Sequence, residues 1–135
     1  MQHSSRFALS AAALAVLTIG TGLGRRAAAA PPLPLQAAAP PPAFAPCKAC
    51  HSVAKGGPAL VGPNLFGVLG AAAGAKPGYA YSPAMKAAKL RWDRARLDAY
   101  LANPKAVVPG TKMAIPGIKD AAARKAVIDY LATLK

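Results

Sequence analysis

The chain predicts an all-α domain, and three observations predict it. Apolar residues recur at helical spacing in two stretches, Leu97, Tyr100 and Leu101 in one and Val127, Ile128, Leu131 and Leu134 in the other, the pattern that lays one face of a helix against a core. Helix-starting residues stand just ahead of three segments: Ser82 before Pro83, then Asp93, then Asp120. Their short oxygen-bearing side chains accept from the unpaired N–H groups of a first turn. No run alternates apolar with polar residues for long enough to make a convincing strand.

Taken from its start, the chain shows Arg6, an apolar run from Phe7 to Gly24, Arg25-Arg26 and the small residues Ala27 to Ala30. This is the architecture of an export segment. Residues 1–30 are expected to be a signal peptide cut among Ala27 to Ala30, or a retained membrane anchor, for which the run is barely long enough. The arginine pair follows the run instead of preceding it, so no twin-arginine route is inferred. Either way the domain is expected in the periplasm. Residues 31–42 then form a linker: across 31–46, seven Pro and five Ala fix φ and remove donors, which makes an extended spacer.

The domain is expected at residues 43–135. Prolines 40 to 42 leave only Ala43 onward for a first helix, from which Phe44 is expected to dock near Tyr130. The stretch from Ser52 to Gly70 is dense in Gly and Pro, with Leu60, Val61, Leu65, Phe66, Val68 and Leu69 set between them. Such glycines admit backbone close to a flat ligand while the apolar side chains wall it. A short helix carrying Met85 follows Ser82-Pro83, a second follows Asp93 and ends at Asn103-Pro104, and a last runs from Asp120 to about Leu134.

The chemistry is concentrated in Cys47-Lys48-Ala49-Cys50-His51. Two thiols two residues apart lie within reach of two vinyl groups on one porphyrin edge, and the adjoining imidazole falls beneath the ring, so the stretch reads as a covalent attachment site for one haem c. A structural zinc site would need about four Cys or His ligands, and the other histidine, His3, lies in the export segment. A thioredoxin-like dithiol would follow a strand, which the Pro-rich approach to Cys47 does not resemble. A disulfide here would close too small a loop to restrain the unfolded chain much.

A haem iron held by His51 has one further axial position. Met113 is the natural candidate, in a loop from Pro109 to Gly117 stiffened by two prolines, and its soft sulfur would raise the reduction potential. Met85 is the competitor, although a helical Met more often fills a core.

Across nearly all of residues 43–135 the chain resembles a class I cytochrome c of the mitochondrial and bacterial type. The stretches that carry the resemblance are CKACH, GPNLFGVLG, PGYAYSPAMK, the Trp92 region, LDAYLANPKAVVPGTKM and VIDYLATLK. It implies a small haem-wrapping fold of about four to five short helices, with thioethers on Cys47 and Cys50 and iron ligated by His51 and Met113. It further implies that Pro63 offers its carbonyl to the His51 ring, that Tyr81, Trp92 and Thr111 line the propionate side, and that Tyr100 lies near the Met113 sulfur. Where the family often has an arginine paired with a propionate, this chain has Ala71.

A net charge of +13, with four acidic residues that are all Asp, calls for an anionic partner. By resemblance, Lys48, Lys86, Lys105 and Lys112 ring the exposed haem edge. No further constellation of acid, base or nucleophile suggests an enzyme. The expected function is single-electron transfer from a quinol-oxidising cytochrome complex to a terminal cytochrome oxidase. The rival is a dedicated electron-accepting subunit of one periplasmic dehydrogenase. A nucleic acid is not among the expected partners.

Overall fold

Four helices in the computed structural model begin where a short side chain accepts a backbone proton. Ser82 accepts from the Met85 amide and opens α1 (Pro83–Ala87), and Asp93 accepts from Arg96 and opens α2 (Arg94–Ala102). Asn103 accepts from Ala106 and opens α3 (Pro104–Val107), and Asp120 accepts from Ala123 and opens α4 (Ala121–Thr133). A 3₁₀ segment, Pro42–Ala49, precedes them. The structure describes residues 38–135; the expected export segment and the first part of the linker lie outside the described residues. Among the described residues no strand forms, only an isolated bridge between Ala72 and Arg91, and no helix is long and apolar enough to cross a membrane.

Two elements differ from the sequence reading, and proline explains both. The first helix starts at Pro42, one residue into the expected linker, and is 3₁₀ throughout with Pro46 inside it. Pro46 has no N–H for an α-type bond, and short 3₁₀ turns tolerate such gaps better. Asn103-Pro104 ends α2 as expected, but the same pair restarts the chain as α3. Pro104 takes the first helical position, where a missing N–H costs nothing.

The core lies where α4 packs on α2 and on the 3₁₀ segment, with α3 against α2. Leu97, Tyr100 and Leu101 from α2 meet Val127, Ile128, Tyr130 and Leu131 from α4, all buried. Burying one such aliphatic side chain stabilises the fold by about 1.5–3 kcal/mol. Outside this seam, Arg94 reaches Asp129 at 2.5 Å and Arg124 Nε reaches Asp98 at 2.8 Å. Hydrogen bonds from Lys125 and Arg94 hold the Asp129 carboxyl below its ordinary pKa. Gly117, at φ +90°, crosses so close to α2 that a Cβ there would lie 2.1 Å from the Ala102 carbonyl oxygen. Lys89 is the one non-glycine among the described residues at positive φ, 48°, a conformation that costs an L-residue about 1–2 kcal/mol.

The expected contact between Phe44 and Tyr130 is present. Phe44 is fully buried, with the two ring centroids 4.8 Å apart and inclined at 62°. Phe44→Ala should lower the unfolding free energy by about 3 kcal/mol or more, measured as a shift in the denaturant midpoint. A loss below about 1 kcal/mol would show that the 3₁₀ segment contributes little to the core.

Candidate haem site

The attachment stretch is folded by its own backbone. The amides of Cys50 and His51 both donate to the Cys47 carbonyl, at 3.1 and 2.9 Å, a tight turn that keeps the two sulfurs and the imidazole on one short piece of chain. The His51 ring is then held from the next segment: Nδ1 lies 2.7 Å from the Pro63 carbonyl oxygen. A carbonyl can only accept, so Nδ1 carries a proton, and Nε2 is the ring nitrogen left to ligate a metal.

Gly62 makes room for that ring. A Cβ at this position would lie 2.4 Å from His51 Cε1 and 2.9 Å from Nε2, so no other residue fits without moving the imidazole. The Gly62 amide donates to the Cys50 carbonyl at 2.8 Å and the Leu65 amide to Ser52 at 2.9 Å, which sews the two segments together. Asn64 clamps the intervening loop, donating to Ala54 and Gly57 carbonyls at 2.8 and 2.7 Å while accepting from the Phe66 amide at 2.7 Å.

Met113 is presented by a loop tied down on both sides. Thr111 Oγ1 accepts from the Met113 amide at 3.2 Å and is bonded to the Tyr100 hydroxyl at 2.6 Å. On the other side Lys112 Nζ donates to the Ala80 carbonyl and stands over the Tyr79 ring, 5.8 Å from its centroid. Tyr79 in turn meets Tyr81 edge-on at 4.8 Å, and Trp92 lies 4.8 Å from Tyr100.

Cys47, Cys50, His51, Pro63, Tyr81, Trp92, Tyr100, Thr111 and Met113 all line one cavity of about 560 Å³. Every site residue named from the sequence is thus brought together. Most of the rest of its wall is apolar, including Val68, Leu97, Leu101, Val127 and Leu131, with Asn64, Lys76, Ser82 and Lys112 among them. Its size lies within the range of about 300–1,000 Å³ usual for cofactor sites. A flat apolar group with a polar edge fits this lining: the His51 imidazole and the Met113 thioether are donors suited to haem iron, and the Cys47 and Cys50 thiols stand where they could hold a porphyrin edge. Burial pushes the Cys47 thiol above its ordinary pKa of 9.0. Among the described residues no three His, Cys, Asp or Glu side chains gather as a metal site.

No family model matches the chain. It is 52% identical to cytochrome c2 of Rhodomicrobium vannielii over 90 residues, 67% of this chain and 72% of the relative. It is 52% identical to cytochrome c2 iso-1 of Magnetospirillum molischianum over 99 residues, 72% of this chain and 98% of the relative. The chain belongs to the class I cytochromes c. Its structure agrees with that of cytochrome cH from Methylobacterium extorquens at a TM-score of 0.62 and 54% identity, covering 67% of this chain and 91% of the other. The cofactor of this cytochrome is haem c, and Cys47 and Cys50 have the spacing of its attachment motif.

The sequence reading missed part of the site. Met85, expected as core filler, is buried at 7% exposure but also lines the cavity; the Ser82 cap that turns α1 was visible, the direction of its third residue was not. Lys76 and Lys112 line it too. Lys76 Nζ is bonded to the Phe66 carbonyl. Among the described residues no arginine lines the cavity. Arg91 reaches the Gly70 carbonyl beside Ala71, at 2.6 Å.

Gly62→Ala should displace His51 from the Pro63 carbonyl and perturb the haem absorption spectrum; a spectrum identical to that of the parent would contradict the role given to this glycine. Burial raises the phenol pKa values of Tyr81 and Tyr100 above 10.0. A group with a raised folded pKa contributes stability that is complete below its unfolded pKa and is lost as pH rises through the folded one. Stability should therefore decline from about pH 10 upward, and Tyr100→Phe should flatten the decline in thermal melts.

Proposed function

We propose that this cytochrome c is a periplasmic electron carrier passing single electrons from a quinol-oxidising cytochrome complex to a terminal oxidase. The observation that carries the reading is the meeting of Cys47, Cys50 and His51 with Met113, from a loop some sixty residues away, in one apolar cavity. When bound, haem supplies one-electron chemistry at iron, with a potential raised by His/Met ligation. In the proposal Cys47 and Cys50 hold the porphyrin edge as thioethers, and His51 offers Nε2 while Pro63 fixes its ring. Tyr81, Trp92 and Thr111 form the polar side for the propionates, and Tyr100 stands beside the Met113 sulfur.

Met113 is preferred to Met85 as the second ligand. Its loop is braced through Thr111, Tyr100 and Lys112, so the thioether is held with little reorganisation, whereas Met85 sits inside α1 among core residues. If His51 and Met113 both held the iron, no position would be left for a substrate. The chain is then a carrier and not an enzyme.

The surface supports docking at the cavity mouth. All four Asp belong to α2, α4 or their caps. The exposed large apolar residues Leu60, Val61 and Ile115 gather elsewhere: Val61 and Ile115 line the cavity, as does Lys112, and Leu60 adjoins Val61. An acidic partner would be steered to this face. Relatives named cytochrome c2 and cytochrome c favour the carrier over the dehydrogenase subunit. Residues 1–30 remain proposed as a signal peptide or anchor and 31–42 as a linker to the domain at 43–135, which intact-mass analysis of the mature protein tests.

Met113→Ala should lower the reduction potential and admit small ligands to iron, while Met85→Ala leaves both nearly unchanged; loss of the ferric sulfur-to-iron absorption band in the Met85 variant would reverse the assignment. Raising salt from about 0.01 M to 0.1 M shortens the Debye length from roughly 30 Å to 10 Å. Stopped-flow electron transfer to a purified oxidase should slow accordingly, and charge reversal at Lys105 or Lys112 should slow it more than reversal at Lys135. Rates flat in salt and indifferent to these changes would remove the docking face and leave the haem assignment standing.

A further inference from the structure

Among the described residues every lysine is exposed except Lys76, which is half-buried. A lysine stem long enough to carry its charge to water ordinarily does so. This one instead lines the haem cavity, with Nζ donating to the Phe66 carbonyl. An ammonium has three N–H donors and no acceptor, so two donors remain beyond that bond. Among the described residues no Asp or Glu lines the cavity, and none forms an ion pair with Lys76. The charge is therefore set at a largely apolar wall without a counter-ion from the chain.

Its neighbours are polar groups that face the same cavity. The Lys76 backbone lies within hydrogen-bond reach of the Tyr81 phenol. The turn that leads to Lys76 is tied to Trp92, whose amide donates to the Ala71 carbonyl at 2.9 Å, while the Ala73 amide donates to Leu90 at 2.8 Å. Ala72, Lys76, Tyr81 and Trp92 all line the cavity. Ala71 brings no charge to this turn, and Lys76, further along it, brings one. Lys112, the other cation of the lining, is exposed and is engaged with the Ala80 carbonyl and the Tyr79 ring in bracing the Met113 loop.

We propose that Lys76 is the cation that pairs with a haem propionate in this cytochrome and so helps to set its reduction potential, an inference that rests on the haem reading above. A charge held against an apolar wall calls for an opposite one, and the porphyrin's propionates are the carboxylates that the lining itself lacks. A nearby ammonium favours the ionised carboxyl. It also disfavours ferric iron, which carries one more positive charge than ferrous, and so raises the potential.

The test is redox titration of the mature, haem-loaded protein across a range of pH. Lys76→Gln should lower the potential and add a fall with rising pH that the parent lacks, because a propionate deprived of its cation titrates nearer neutrality and its ionisation favours ferric iron. Lys76→Arg should keep the parent's potential and profile, and Lys135→Gln should change neither. Should Lys76→Gln fail to load haem, Lys76→Met, which keeps an apolar stem, is read in the same way. Equal potentials in the parent and Lys76→Gln at every pH, a shift of one size at every pH, or a Lys76→Arg profile matching that of Lys76→Gln would overturn the proposal. So would a variant that melts lower yet keeps the parent's potential, since Lys76 would then be a loop tie alone. A parent chain without covalent haem fails the haem reading itself, which separates the two failures.

Discussion

The hydrogen bond from His51 Nδ1 to the Pro63 carbonyl is the constraint on which the rest of the site depends. It fixes which nitrogen carries the proton and where the other points, and a ring free to rotate would do neither. That bond exists only because Gly62 leaves space beside the imidazole, because the Gly62 amide is tied to Cys50, and because Asn64 clamps the loop that follows. Three consecutive residues, Gly62, Pro63 and Asn64, thus perform three separate tasks: space, acceptor and clamp.

Core and cavity are not separate structures. Leu97 and Leu101 of α2 and Val127 and Leu131 of α4 belong to the buried seam and also wall the cavity. The same burial that joins the helices therefore shapes the pocket, and apolar surface covered by a cofactor there adds to stability at about 25 cal/mol per Å². Polar ties are kept to the rim, where Thr111, Tyr100 and Lys112 brace the Met113 loop. Asp98 and Asp129 are drawn to the opposite task, pairing α2 with α4, which leaves the other cations among the described residues without acidic partners.

Much of this was legible in the sequence because it rests on local chemistry. The caps Ser82, Asp93 and Asp120 act within three residues, and the apolar stripe of α4 follows helical spacing alone. The attachment stretch is contiguous, so its geometry is written in one turn of chain. What escaped was set by contacts distant in sequence. Asn103-Pro104 reads as a stop but also begins α3, since proline forbids continuation and permits initiation. The first helix became 3₁₀ through Pro46, and Met85 joins a core drawn from segments distant in sequence.

The account stands or falls on haem held covalently by Cys47 and Cys50. The most direct measurement is a denaturing gel of protein matured with the haem-attachment machinery, stained for haem peroxidase activity beside a Cys47→Ser, Cys50→Ser double variant. The account predicts stain migrating with the parent chain and none with the variant. A properly matured parent chain that runs free of haem would contradict it.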